Sequence, residues 1–481
     1  SKPYAFNARP WELLKTESTD MMDAVGSAIR VDARGREVMR ILPRLNEAVN
    51  EEWISDKTRH VVDGLRTQRL DKPYIREGGR LRAANWGEAF GAIASRVKAA
   101  GGAKVGALAG DLATLEEMFA LKGLMTALGS PHIDGRVDGA TLDPSLGRAS
   151  YLFNPGIAGI EDADAILIVG SNPRKEAPLV NARIRKRWRM GKVKIGLVGE
   201  HADLTYDYDY CGAGGDTLAA IAGGTHAFAE ALRGASKPMI IVGQGLLTRA
   251  DGAALASLCA RVAVANGMVK DGWNGFAMLH TGASRVGALD LGLVPGEGGR
   301  DAKAMAAGAV DVIFNLGADE IEIAPGPFVV YIGTHGDRGA HRADVILPGA
   351  AYTEKAGFTT NTEGRVQVLN RAGFAPGDAK DDWAILRALS EVLGVKLPYD
   401  SLAQLRTALG KAHPETLAIG ALPSADPAGV QALAAKGGAV DSAPFRQAVG
   451  DFYLTNPIAR ASATMAECSA LAAGSMSVAA E

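Results

Sequence analysis

Short, almost wholly apolar runs that end in glycine recur along the chain. Asp164–Val169 ends at Gly170, Pro238–Val242 at Gly243, Val310–Leu316 at Gly317 and Phe328–Ile332 at Gly333. Lys104–Ala109 and Ala343–Leu347 are of the same kind, the second ending at Pro348. Apolar runs of this length, bounded by turn residues, predict strands buried on both faces, as in parallel sheets. Helical patterns lie between them. Asn85 is a good N-cap for a helix from Trp86 to about Ala100, with Glu88 placed to close a capping box and Gly101-Gly102 as the stop. Pro178 suits the first turn of a helix reaching about Met190, stopped by Gly191 before a strand Val193–Val198. The expected fold class is therefore α/β, several parallel-sheet layers with loops at the carboxyl edges of the strands, where ligands of such folds sit.

Two regions depart from this rhythm. Within Ser1–His60, Ala28–Val31 and Arg36–Leu42 read as short strands and Asp32–Gly35 as the turn between them. Residues 1–60 are thus expected to form a small β-rich subdomain, and residues 61–398 the α/β core. After about Tyr399 the chain becomes Ala/Gly/Pro-rich, so 399–481 is set apart as a C-terminal segment. His413–Val440 reads there as a weakly patterned connection. Ala461–Ala480 is Ala/Ser-rich and carries Glu467, which suits a loose or docked tail rather than a membrane span. Ser1–Glu17 lacks the apolar stretch of a signal peptide.

Composition narrows the function classes. The 481 residues correspond to roughly three domains. Lys+Arg is 52 and Asp+Glu 54, a net charge of −2, without the positive field of a general nucleic-acid binder. The 3 cysteines, Cys211, Cys259 and Cys468, are far apart, so no local CxxC motif and no disulfide scaffold can form, and a reducing compartment fits. Cys211 and Cys259 read as small buried apolar residues. Gly243-Gln244-Gly245 lacks the third glycine of a dinucleotide fingerprint, Thr248 standing in its place, so a tight strand-to-helix turn is the favoured reading. Arg183–Lys194 holds seven basic residues around Trp188. It reads as the solvated last turn of a helix, whose cations complement the macrodipole, with an acidic-partner dock or a nucleic-acid patch as alternatives. His335, close to Asp337, is expected to be a hydrogen-bonded loop histidine rather than half of a catalytic pair.

The most informative motif is defined by what it lacks. Asp20, Asp23, Ser27 and Ser55 follow the spacing x2, x3, x27. With cysteines at those places the pattern resembles the [4Fe–4S] site that opens molybdopterin oxidoreductases. A cubane needs four soft thiolates, and two carboxylates with two hydroxyls do not substitute. The four positions are expected to be a vestigial site with no metal-ligand role.

The surrounding stretches Tyr4–Glu12, Val25–Ile29, Glu37–Pro43, Asn50–Arg59, Asp164–Asn172 and Ala343–Gln367 resemble one family: the large iron–sulfur subunit of NADH–quinone oxidoreductase, respiratory complex I. The resemblance runs from Ser1 to about Val395, with little to anchor it beyond Tyr399. It implies a molybdopterin-oxidoreductase-like fold that has kept its architecture and lost its cofactor, with no catalytic or cofactor-binding residue in this portion. It places one [2Fe–2S] and two [4Fe–4S] clusters in a region upstream of Ser1, about 200 residues long by the usual domain size. This portion would be a scaffold holding that electron-transfer chain in place, and Tyr4, Phe6 and Trp11 would pack toward the cluster region. The implied partners are the flavin- and NADH-binding subunit and the iron–sulfur subunits of the peripheral arm. Nucleic acid is not among them, and the membrane is reached only through the complex. The implied location is the cytoplasmic face of a bacterial inner membrane, or the matrix side in a mitochondrion. Two alternatives stand beside this reading: a molybdenum or tungsten bis-pterin oxidoreductase of the formate dehydrogenase type, and an independent soluble binding module.

Overall fold

In a computed structural model, residues 4–479 are described, those after 474 by their backbone alone. Strands β1 (Leu14–Thr19), β2 (Ala28–Arg34) and β3 (Glu37–Pro43) form an antiparallel three-stranded sheet. Next come an antiparallel pair, β4 (Tyr74–Glu77) and β5 (Arg80–Ala83), and a parallel pair, β6 (Val105–Ala109) and β7 (His132–Asp134). The chain then builds a separate five-stranded sheet from β8 (Ala165–Val169), β9 (Lys194–Val198), β10 (Asp209–Gly212), β11 (Pro238–Val242) and β12 (Phe276–Met278). It returns with β13 (Val312–Leu316), β14 (Phe328–Gly333) and β15 (Val345–Pro348), and closes with a hairpin, β16 (Gly357–Thr360) and β17 (Val366–Leu369).

The seven-stranded sheet has the order β5-β4-β15-β14-β13-β6-β7, parallel except at the β4 and β5 edge. The second sheet, β10-β9-β8-β11-β12, is parallel throughout. Chain order reverses between β6 and β13 in one and between β8 and β11 in the other. A crevice opens outside the strand ends at such points. The apolar runs are explained by burial on both faces. Leu167 and Val169 of β8 enter one core with Ile240 and Phe276, while Ile166 and Ile168 enter another with Val180 and Ile184. Asn85 caps the helix Trp86–Ala100 as anticipated: its Oδ1 accepts from Glu88 N–H and Glu88 accepts from Asn85 N–H, both at 2.9 Å.

Several expectations are corrected. The turn placed at Asp32–Gly35 lies later, because β2 runs on to Arg34. Asp32 is buried in mid-strand, where Arg30 and Arg40 each donate to it at 2.7 Å, so its charge is matched without a loop. Strand β1 carries polar residues and escaped the pattern; it is held by pairing with β2 from Leu14 to Thr19. The segment His413–Val440 is not merely connecting. It contains a helix, Ala428–Lys436, whose Val430 and Leu433 pack in the same core as Leu255 and Cys259 of the helix Gly252–Ala265. The tail forms a docked helix, Ala463–Ala479; Ser462 Oγ and Thr464 N–H both donate to Asp63, and Ala480 lies outside the described residues. Cys259 is buried, but Cys211 is only half-buried. Nor is the basic run simply solvated: Arg183 is buried and donates to Glu161, and Lys186 reaches both Glu51 and Glu161.

Candidate functional site: the emptied cluster position and the crevice

Asp20, Asp23, Ser27 and Ser55 come together, all buried, between the three-stranded sheet and the rest of the chain. Asp20 begins the loop after β1, and its N–H donates to Ser27 carbonyl at 2.9 Å, closing the loop 20–27. Asp20 Oδ1 accepts from Met22 N–H, and Asp23 Oδ1 from Val25 N–H. Ser55 caps the helix Asp56–His60, accepting from Thr58 N–H at 3.1 Å. Thr58 Oγ1 lies 2.8 Å from Ser55 Oγ and donates to Asp20 Oδ2 at 2.8 Å. A hydrogen-bonded chain Ser55–Thr58–Asp20 thus spans the position. Lys57, also buried, supplies the counter-charge; its Nζ donates to Thr455 Oγ1 at 2.8 Å and lies 4.8 Å from the centre of the Phe452 ring.

The electrostatics follow from burial. Loss of solvent, then the neighbouring Asp23 carboxylate, pushes Asp20 up to about 7, against the Thr58 and Met22 hydrogen bonds and Lys57. Burial also raises Asp23, with Lys57 opposing it, and lowers Lys57, with Asp23 and Asp20 opposing. No thiol stands at any of the four positions; the cysteines lie in β10 and in the helices Gly252–Ala265 and Ala463–Ala479. Hard oxygen donors tied into hydrogen bonds do not fit an iron–sulfur cubane. Among the described residues no group of three or more His, Cys, Asp or Glu side chains is arranged to hold a metal ion. Thr58 and Lys57, which complete this arrangement, were missed in the sequence. The S-x-x-T spacing from Ser55 is the one signal that could have found Thr58.

The stretch Ala343–Gln367 explains how the loop is held. Its Asn361 donates to Val25 carbonyl, Thr362 N–H to Ala24 carbonyl and Gln367 to Gly26 carbonyl. Arg69 clamps Glu354 through two hydrogen bonds of 2.6 Å. Lys355, fully enclosed, bridges Glu117 at 2.8 Å and Asp382 at 3.5 Å. The polar motif is therefore an interior clamp between the N-terminal sheet and the two larger sheets.

A cavity of about 290 Å³ lies at the strand ends, lined from both switch points and covered by residues 448–456. Its walls carry Asp23, Asp111, Asp138, Glu176, Glu320 and Asp451, against Lys57 and Lys175. Burial pushes Asp111 up to about 6 and Glu176 up to about 7. Burial also acts to raise Asp138, but Arg285, 2.9 Å away, outweighs it and holds that carboxyl low. Carboxylates crowded into such a space repel the pyrophosphates of a pterin dinucleotide, and no cysteine lines it. The crevice does not fit that cofactor.

The Gly243-Gln244-Gly245 turn is likewise filled by protein. A Cβ on Gly245 would lie 2.0 Å from Arg446 carbonyl oxygen and 2.6 Å from that of Gly170. The glycine is required by backbone packing, leaving no phosphate site there. Gly245→Ala is expected to destabilise the fold by about 1–3 kcal/mol through overpacking. Chemical denaturation checks this, and an unchanged midpoint would show that residue 446 moves aside freely. His335 is buried and satisfied, bonded to Gly64 carbonyl and Thr334 Oγ1, as expected of a loop histidine.

Comparison with known proteins agrees with this geometry. The molybdopterin oxidoreductase family profile matches residues 69–392. Residues 13–63 match the NADH-ubiquinone oxidoreductase NDSU1/NuoG-like 4Fe-4S domain. Residues 420–468 match the C-terminal profile of the same NADH-ubiquinone oxidoreductase component, so the resemblance continues past Tyr399 after all. The chain is 45% identical over 476 residues to the NADH dehydrogenase [ubiquinone] iron-sulfur protein 1, mitochondrial, of Solanum tuberosum, covering 98% of this chain and 63% of that protein. It is 43% identical over 488 residues to the NADH-ubiquinone oxidoreductase 75 kDa subunit of Reclinomonas americana, covering 98% of this chain and 70% of that one. The chain thus spans about two thirds of the length of these relatives. Among solved structures, the acetylene hydratase of Pelobacter acetylenicus shares the fold, with a TM-score of 0.52 and 12% identity over 79% of this chain and 69% of that one. Matching in sequence over nearly its whole length and built on the molybdopterin oxidoreductase fold, the chain belongs to the family of the NADH-ubiquinone oxidoreductase 75 kDa subunit.

Proposed function

We infer that this chain is part of a peripheral-arm subunit of proton-translocating NADH:quinone oxidoreductase and that this portion is a cofactor-free scaffold. The observation that carries the reading is the 43–45% identity over 98% of the chain to complex I subunits. The clusters of the electron-transfer chain, one [2Fe–2S] and two [4Fe–4S], belong to the region the family places upstream, and the three segments 1–60, 61–398 and 399–481 support that region. Asp20, Asp23, Ser27 and Ser55 are a former cluster site turned into a hydrogen-bonded plug. Tyr4, Phe6 and Trp11 face the cluster-bearing region; in support, Phe6 is 105% and Trp11 80% exposed, although the Tyr4 ring is covered by Arg40 at 4.5 Å. The partners are the flavin- and NADH-binding subunit and the iron–sulfur subunits. Attachment to the membrane runs through the complex, on the cytoplasmic or matrix side; among the described residues no helix is long and apolar enough to cross a membrane.

Purification from the native source tests the assignment. Stoichiometric co-purification with flavin- and cluster-bearing subunits, with NADH:quinone activity, is expected; stoichiometric molybdenum, tungsten or pterin would overturn it in favour of the pterin enzyme. The plug has its own test. The quadruple variant Asp20→Cys, Asp23→Cys, Ser27→Cys, Ser55→Cys, reconstituted anaerobically with iron and sulfide, is expected to gain the absorption and the reduced-state paramagnetic signal of a cubane, whereas the parent chain gains neither. A folded variant that takes up no more iron than the parent would remove the former-cluster reading.

A further inference from the structure

The basic run Arg183–Lys194 is left unexplained by the scaffold reading. Its cations divide into two sets. Arg183 and Lys186 are neutralised by Glu161 and Glu51, and Arg187 donates to Ala163 and Gly191 carbonyls. Arg185 and Arg189 are exposed, with neither a hydrogen bond nor an ion pair to any described residue. They stand four residues apart on one face of the helix Pro178–Arg189, where like charges repel and destabilise the helix slightly. Between this face and the N-terminal subdomain lies an open groove of about 600 Å³, lined by Trp53, Ala182, Arg185, Lys186, Arg189 and Met190. Trp53 and Met190 are each 58% exposed. The small Ala182 leaves room between the tryptophan and the two arginines.

Tryptophan, arginine and methionine are the residues enriched at the centres of protein interfaces. Here they surround a concave surface with two unmatched guanidinium groups. We propose that this groove docks an acidic segment of a neighbouring subunit, one apolar side chain seated against Trp53 and Met190 and carboxylates paired with Arg185 and Arg189. Planar guanidinium groups suit bidentate carboxylate pairing, and an opposite charge relieves the repulsion between the two arginines. A nucleic-acid backbone fits less well: the patch is small, the exposed Glu52 adjoins Trp53, and the whole chain carries −2. The inference deepens the assembly reading and rests on it.

The test uses the assembled complex in its native host, with Ala182 replaced by the photo-cross-linker p-benzoylphenylalanine. Irradiation is expected to join residue 182 to a single peptide of another subunit, rich in Asp and Glu and containing an apolar side chain. Arg185→Glu with Arg189→Glu is expected to lower the yield about tenfold, as for two lost ion pairs, whereas Arg185→Lys with Arg189→Lys retains most of it. A cross-link to a neutral or basic segment, to a second copy of this chain, to lipid or to nucleic acid would overturn the proposal, as would none above the unirradiated control. If the unsubstituted chain fails to co-purify with other subunits, the assembly reading itself fails. If it assembles normally while residue 182 joins nothing, only the docking proposal fails.

Discussion

Replacing Lys355 by methionine is expected to destabilise the protein by about 3–5 kcal/mol at neutral pH, the usual cost of stripping the cation from a buried charge cluster. Lys355 is enclosed between Glu117 and Asp382 at 2.8 and 3.5 Å. Burial acts to lower its pKa, but Glu117 and Asp382 outweigh it and hold the ammonium charged. Asp382 is already held well above the ordinary carboxylate range, by burial first and by Glu117 second. Without the lysine, the remaining buried carboxylates must fold protonated, so their folded pKa values lie above the unfolded ones. Stability from such groups is present in acid and lost as pH rises. The gap between variant and parent is therefore expected to narrow on acidification and to widen toward neutrality. Urea unfolding across that range measures it. Adding Glu117→Gln and Asp382→Asn to Lys355→Met is expected to recover much of the loss. A single variant within about 1 kcal/mol of the parent at neutral pH would mean the cluster is compensated elsewhere.

The second large effect is expected at the emptied cluster position. Asp20 stands at about 7 in the folded chain against an ordinary 3.8, burial being the main cause. A carboxyl raised on folding contributes stability that is fully present below its unfolded value and lost as pH rises through the folded one. The parent is therefore expected to lose on the order of 4 kcal/mol from this group between about pH 4 and 7. Asp20→Asn removes the ionisation while keeping the contacts: its carbonyl accepts from Met22 N–H and its amide donates to Thr58, which then donates to Ser55. The variant should match or fall slightly below the parent in acid and exceed it near neutrality. Parallel pH–stability curves for the two proteins would show that Asp20 ionises freely and that the plug is not closed to water.

Much of the architecture could be read from local pattern. Pro238–Val242 is a strand with the expected bounds, and the strands after Asp164 and Phe328 shift by one residue at an end. These segments are apolar on both faces and bounded by glycine or proline, so local chemistry and tertiary burial agree. The strand β1 was illegible because its polar side chains are held by pairing, not by burial of an apolar face. Ala428–Lys436 was illegible because alanine-rich sequence has little amphipathic contrast, and its helix is held by packing on Gly252–Ala265. At the candidate site, spacing picked out Asp20, Asp23, Ser27 and Ser55. It could not pick out Lys57, whose counter-charge role depends on folding it beside two carboxylates, nor the strap 448–456, which reaches the cavity from more than four hundred residues beyond the loop.

The sequence by itself determined the α/β class, the family resemblance and the absence of thiols from a four-point cluster spacing, because each depends on residue identity and local order alone. Only the tertiary structure decided what replaced the cluster and what became of the crevice. A hydrogen-bonded chain of Ser55, Thr58 and Asp20 took the first, and a strap over a carboxylate-lined cavity took the second. It also decided which cations of the basic run are spent within the protein and which remain exposed. Those outcomes depend on solvent exclusion and on partners distant in sequence, and both arise only when the sheets are packed.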